Sequence, residues 1–175
     1  MAILEIITTP DPVLRRKARK ITTFDKDVQT LIDNMIETMR VAPGVGLAAP
    51  QVGVSERLIV IEYGEYDDDD EGEGEKKPKK LYVVINPEIV SPSESTVEGV
   101  EACLSIPRLV GEVERNEALV VKGLNRFGKP IKIKAEGWLA RIFQHEIDHL
   151  EGVLFTDRAS RVWRPAENET IVDEV

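Results

Sequence analysis

What this chain has little of sets its first limits. It has one cysteine, Cys103, so no disulfide can close within it, and a reducing compartment fits. It has two histidines, His145 and His149, so a three-histidine metal site is excluded. No apolar run approaches the roughly 20 residues of a membrane-spanning helix. The opening "MAILEIITTPDPVLRRKARK" lacks the basic lead, apolar stretch and small-residue cleavage site of a secretory signal. These absences point to a cytoplasmic protein with no membrane partner. Bases are also in the minority, 23 against 32 acids, for a formal net charge of −9. That balance argues against direct nucleic-acid binding.

The acidic surplus is uneven. The stretch 64–80, "GEYDDDDEGEGEKKPKK", holds eight acids and four lysines, a net −4. With almost nothing apolar to bury, it reads as a solvated, mobile insert. The tail 164–175 is the other candidate for disorder. A length of 175 residues fits one domain, 1–175, large enough to bury a core.

Two segments carry helical spacing. Val28, Leu31, Ile32, Met35, Ile36 and Met39 form one apolar face, ended by Pro43 and Gly44. Leu139, Ile142, Phe143 and Leu150 form another over 138–150. Between them, "RLIVIEY" and "KLYVVINPEIV" read as strands flanking the acidic insert, and "ALVVKGLNRFGKPIKIKAEG" as two strands about a turn. Strands in the middle and helices towards the ends predict an α+β fold with mainly antiparallel sheets.

"GVGLAAPQVG" (44–53) matches the dinucleotide fingerprint G-x-G-x-x-G/A in form. The context is wrong: it follows a helix rather than a strand, and Pro50 stands where a helix should be running. Nucleotide binding is excluded. By residue type alone the segment is a tight connection from helix to strand, with Gln51 beside an open backbone.

"QHEIDHL" (144–150) carries the chemistry. Four residues apart on a helix, His145 and His149 project from one face and can share a divalent metal. Glu146 lies beside them, placed to handle a proton without being a ligand. This is the H-E-x-x-H arrangement of metallohydrolases. The third ligand is open by type. Gly152 fits the metzincin extension, yet Phe155 stands where its last histidine would be. Glu151, Asp157 and Glu167 are possible carboxylate ligands. Cys103 in "VEACLSIP" would complete a thiolate–imidazole tripod with a fourth position open, suited to zinc, iron(II), nickel or cobalt rather than magnesium or calcium.

"GVGLAAPQ", "EACLS" and "QHEIDHL", in this order, resemble the peptide deformylase family, and the likeness extends from "PDPVLRRKA" to "GVLFTDRAS". The resemblance implies an enzyme that removes the N-formyl group from the formyl-methionine of nascent proteins and releases formate, with N-formylmethionyl peptides at the ribosome as its partners. It implies metal ligands at Cys103, His145 and His149, and one divalent ion, usually iron(II), which zinc, nickel or cobalt can replace. It also implies Glu146 as general acid/base, with the Gln51 carboxamide and Leu104 N–H meeting the oxyanion. Substrate contacts would come from Val45, Gly46, Trp138 and Ile142: an apolar pocket for methionine, and the 44–46 backbone pairing with the peptide. Asp148 and Arg115 read as a pair that could steady the ligand helix. One position departs from the family: Ala102 replaces its usual glycine, which matters only if the backbone there needs a positive φ.

Overall fold

The structure, a computed structural model, describes residues 2–64 and 78–166. Helix α1 (Lys26–Val41) begins where the Asp25 carboxylate accepts a hydrogen bond from Val28 N at 3.1 Å, satisfying one of the free first-turn N–H groups. Val28, Ile32, Met35, Ile36 and Met39 are buried on its apolar face, with Leu31 at the margin. Past Pro43 the chain runs into a short strand, β1 (Gly46–Ala48), and a 3-10 turn over Ala49–Val52. The segment 44–53 is thus a helix-to-strand connection, as its context predicts.

Next come β2 (Leu58–Tyr63) and β3 (Lys80–Val90), which pair antiparallel on either side of the acidic insert. Residues 65–77 of that insert and 167–175 of the tail lie outside the described residues. Strands β4 (Thr96–Cys103) and β5 (Ile106–Asn116) form a hairpin that hydrophobic periodicity alone does not announce. The predicted pair β6 (Ala118–Leu124) and β7 (Pro130–Glu136) leads into helix α2 (Gly137–Leu150). A short helix, α3 (Phe155–Arg158), and β8 (Arg161–Trp163) follow.

The strands form two antiparallel sheets, ordered β1-β2-β3-β6-β7 and β4-β5-β8. Strand β2 is apolar along most of its length because both its faces are covered. Ile59 and Ile61 join the cluster around Leu139, Ile142 and Phe143 of α2, whereas Leu58 and Val60 join the cluster that includes α1. A third cluster, with Cys103, Ile106, Val113, Leu154 and Phe155, packs the smaller sheet. The chain adopts the expected α+β fold, with antiparallel sheets packed about the H-E-x-x-H helix. Among the described residues no helix is long and apolar enough to cross a membrane.

Candidate active site

Helix α2 is buried over most of its surface, and His145, Glu146 and His149 are all nearly inaccessible. The two imidazoles follow one another by a helical turn, ring centroids 5.1 Å apart. Strand β4 ends beside them at Cys103, whose Sγ lies 3.4 Å from His149 Nε2. Donor atoms of Cys103, His145 and His149 all fall within 4.8 Å of one another. The carboxylates that residue type left open as ligands are elsewhere engaged. Glu151 pairs with Arg57 at 2.6 Å, and Asp157 pairs with Arg15 and accepts from Leu154 N. Glu167 lies outside the described residues.

This group fits a metal ion. His145 Nδ1 faces Glu101 Oε1 at 2.8 Å, so with Nδ1 as donor the lone pair is left on Nε2. His145 Nε2 is buried and has no hydrogen-bond partner among the described residues, which is costly unless a cation fills the gap. Burial works against the His145 imidazolium, yet the facing Cys103 sulfur and Glu101 raise its pKa to about 10. His149 is pushed the other way, well below its ordinary value, by burial and by the charge of His145. The fit rests on the donors themselves: a thiolate with two imidazoles, their ligand atoms within 4.8 Å of one another, suits a borderline-soft divalent cation.

Glu146 stands apart from the tripod in its bonding. Both its oxygens are buried without a partner among the described residues, and burial above all raises its pKa to about 7, near the value that suits proton transfer at neutral pH. Gly46 explains how it fits: a Cβ there would stand 2.6 Å from Glu146 Oε1. The glycine makes room for the carboxylate, a packing reason that the loop pattern did not reveal.

Gln51 is buried, with its orientation set by the backbone. Its Oε1 accepts from Ala48 N at 3.0 Å, which turns Nε2 towards Ser105 Oγ at 3.1 Å and Cys103 Sγ at 3.6 Å. Leu104 opens the two-residue turn between β4 and β5; its side chain would meet a Cβ on Gly44 at 3.0 Å. Ala102 is not among the residues of positive φ, so its methyl group imposes no backbone strain. Val45 and Trp138 pack half-buried against the α2 cluster. Trp138 also lines a cavity of about 720 Å³ with Tyr63, Val97 and Arg141. Ile142 is fully buried in the core and is not among the residues lining that cavity.

Sequence reasoning missed Glu101 and Arg141 behind the histidines, although the Arg115–Asp148 pair it named is present. Glu101 is completely buried. Its Oε1 accepts from Arg115 Nη2 and faces His145 Nδ1, while its Oε2 accepts from Arg115 Nε and Arg141 Nη1. Burial opposes its ionisation, but the hydrogen bonds from Arg115 and His145 win and hold its pKa well below the carboxylate range. Arg115 continues to Asp148 at 2.7 Å, and Asp148 to the half-exposed Arg158 at 2.7 Å. Signals for these partners existed: Glu101 is two residues before Cys103 on a strand, and Arg141 four before His145 on a helix.

An antiparallel fold closed on an H-E-x-x-H helix, with a thiol facing both histidines and a buried carboxylate, Glu146, following the first of them, is the build of a metal-dependent hydrolase. The chain matches the sequence profile of the polypeptide deformylase family over residues 3–164. A peptide deformylase of Symbiobacterium thermophilum is 53% identical over 169 residues, 97% of this chain and 72% of that protein. The crystal structure of a peptide deformylase from Legionella pneumophila superposes with a TM-score of 0.78 at 48% identity, covering 91% of this chain and 87% of that one. One from Acinetobacter baumannii with Met-Ala-Ser bound superposes with a TM-score of 0.80 at 34% identity, over 90% and 98% of the two chains. The chain belongs to the peptide deformylase family, whose members remove the N-formyl group from nascent peptides.

Proposed function

We propose that this protein acts as a single catalytic domain, 1–175, that hydrolyses the formyl group from the N-terminal formyl-methionine of newly made proteins. One observation carries the assignment of roles. The donor atoms of Cys103, His145 and His149 converge within 4.8 Å, next to a buried carboxylate, Glu146, with a pKa near 7. Those three residues would hold one divalent ion, iron(II) by family resemblance, with zinc, nickel or cobalt as replacements. When bound, the ion would supply Lewis acidity and lower the pKa of water so that a hydroxide nucleophile is available at neutral pH.

The chain supplies the rest. Glu146 accepts the proton of the attacking water and returns one to the departing amine, leaving formate and a free N-terminus. Charge that builds on the formyl oxygen meets Gln51 Nε2–H, held in direction by Ala48 N, and the Leu104 backbone N–H. Loss of one such donor typically raises the barrier by about 2.7–4 kcal/mol. Strand β1 is an edge strand, so the 44–46 backbone, Gly46 included, offers groups to which an extended peptide adds as a further strand. Val45 and Trp138 give the methionine side chain an apolar wall, and Ile142 supports it from within the core. The Met-Ala-Ser held by the Acinetobacter relative begins with methionine, as a deformylated product does. Such substrates arise at ribosomes, so we assign the protein to the cytoplasm, working on nascent chains without binding nucleic acid or membrane directly.

Formate release from a formyl-Met tripeptide tests the reading, using protein reconstituted anaerobically with iron(II) or nickel, beside Glu146→Ala. Turnover by the wild type that collapses in the variant is the expected result. Absence of formate from protein holding one equivalent of metal would overturn it.

A further inference from the structure

Arg141 is a charged side chain 3% exposed on α2, on the same helix as the buried His145, Glu146 and His149, and nothing in the proposed chemistry uses it. Its Nη1 donates to Glu101 Oε2 at 2.6 Å and to Val113 O at 2.8 Å, and its Nη2 donates to Val97 O at 2.8 Å. One guanidinium thus bonds three points on two strands: the backbone of β4, the backbone of β5 and the Glu101 side chain. Its room is cut out of β4, because a Cβ on Gly99 would stand 2.8 Å from Arg141 Cζ and 2.9 Å from Nη2. On a strand, Gly99, Glu101 and Cys103 share one face. The glycine, the carboxylate and the thiol are therefore successive steps towards the histidines.

We infer that Arg141 is a positioning residue for the proposed metal site. It holds Glu101, which holds His145, and it fastens the Cys103 strand to the helix bearing both histidines. Arg115 alone does not fix Glu101. It grips both oxygens from one side, and without Arg141 the Oε2 atom loses its shortest bond. The carboxylate then keeps Arg115 and His145 but loses its tie to the turn of α2 that precedes His145, so the pair can shift relative to the helix. This inference rests on Cys103, His145 and His149 holding a metal, and on Gly99 being glycine for the sake of Arg141.

The test is release of cobalt(II) or nickel to excess chelator, read beside the visible spectrum of the cobalt form, for wild type, Arg141→Leu, Arg141→Lys, Gly99→Ala and the double variant Gly99→Ala/Arg141→Leu. Outer partners of a metal-binding histidine are commonly worth roughly 10–100-fold in metal affinity. Arg141→Leu should release metal about tenfold faster or more, with an altered cobalt band and a fall in kcat rather than a rise in KM. Arg141→Lys should recover part of the loss. Gly99→Ala keeps every donor, so it tests the idea even if Arg141→Leu folds poorly. It should behave like Arg141→Leu alone, and the double variant should be no worse than Arg141→Leu. Wild-type release rates and spectra with only KM changed would overturn the inference and leave Arg141 as a wall of the neighbouring cavity. Independent, additive effects of the two substitutions would overturn it as well. A wild type that binds neither metal would overturn both this inference and the metal site beneath it.

Discussion

Glu101 and Glu146 are both fully buried beside the same histidines, yet the fold drives their ionisation in opposite directions. Glu101 sits at the end of β4 with two nitrogen partners on each oxygen, so its carboxylate is stabilised far beyond what water offers. Glu146 has none among the described residues, and burial, joined by the negative charge of Glu101, lifts its pKa to about 7. The difference teaches that burial by itself says nothing about a carboxylate's charge. The count of donors aimed at it decides. One becomes a fixed anion that orients a ligand; the other is left able to take and give a proton.

Substitutions can break this contrast from either side. The largest effect is expected at Glu146. Glu146→Gln keeps the shape but cannot exchange a proton, so formate release should fall by about 10²–10⁴-fold, with metal content unchanged by elemental analysis. Undiminished turnover would remove Glu146 from the mechanism. Glu101→Ala should act on the fold instead. It strands Arg115 and Arg141 in the interior, and breaking a buried pair in this way costs about 3–5 kcal/mol, measurable by denaturant unfolding. A loss below about 1 kcal/mol, the range of exposed pairs, would show that water reaches the network.

Acidity sharpens the comparison, because the two groups are linked to folding with opposite signs. Glu146 has a folded pKa of about 7 against about 4.3 unfolded. In metal-free protein the fold therefore loses stability from this group as pH rises between those values. Glu146→Gln should raise the melting temperature of the metal-free form more at pH 8 than at pH 5. Glu101 is depressed in the fold, so its contribution is complete above about pH 4.3 and fades below it. The melting difference between wild type and Glu101→Gln should accordingly shrink as pH falls from 5 towards 3. The reverse trends would contradict the assigned environments. The smallest effect is expected at the surface end of the network. Arg158 is half exposed where it meets Asp148, so Arg158→Ala should cost under about 1 kcal/mol by thermal melting.

Legibility in the sequence followed this division. Helices α1 and α2, the pairs β2–β3 and β6–β7, and the α+β class were readable because apolar residues recur with the period of each element. The hairpin β4–β5 was not, and the reason is specific. The inward positions at the end of β4 are Gly99, Glu101 and Cys103, a polar series that gives no hydrophobic alternation. It can be buried only because Arg115 and Arg141 arrive from 14 and 40 residues further along the chain. Gly46 was readable as a loop glycine, but not as the space for a carboxylate 100 positions away.

The sequence by itself determined that two histidines and a glutamate share one helical turn, since spacing within a helix is fixed by its own hydrogen bonds. It determined, too, that any thiolate ligand beside the two histidines must be Cys103, since no other cysteine exists. Only the tertiary structure decided that this thiol meets the imidazoles, and that Gln51 turns its N–H towards the sulfur. It also decided that Glu101 is an anion while Glu146 holds its proton to about pH 7. Those outcomes depend on which donors lie within about 3 Å, and that distance is set by the packing of strands against a helix rather than by separation along the chain.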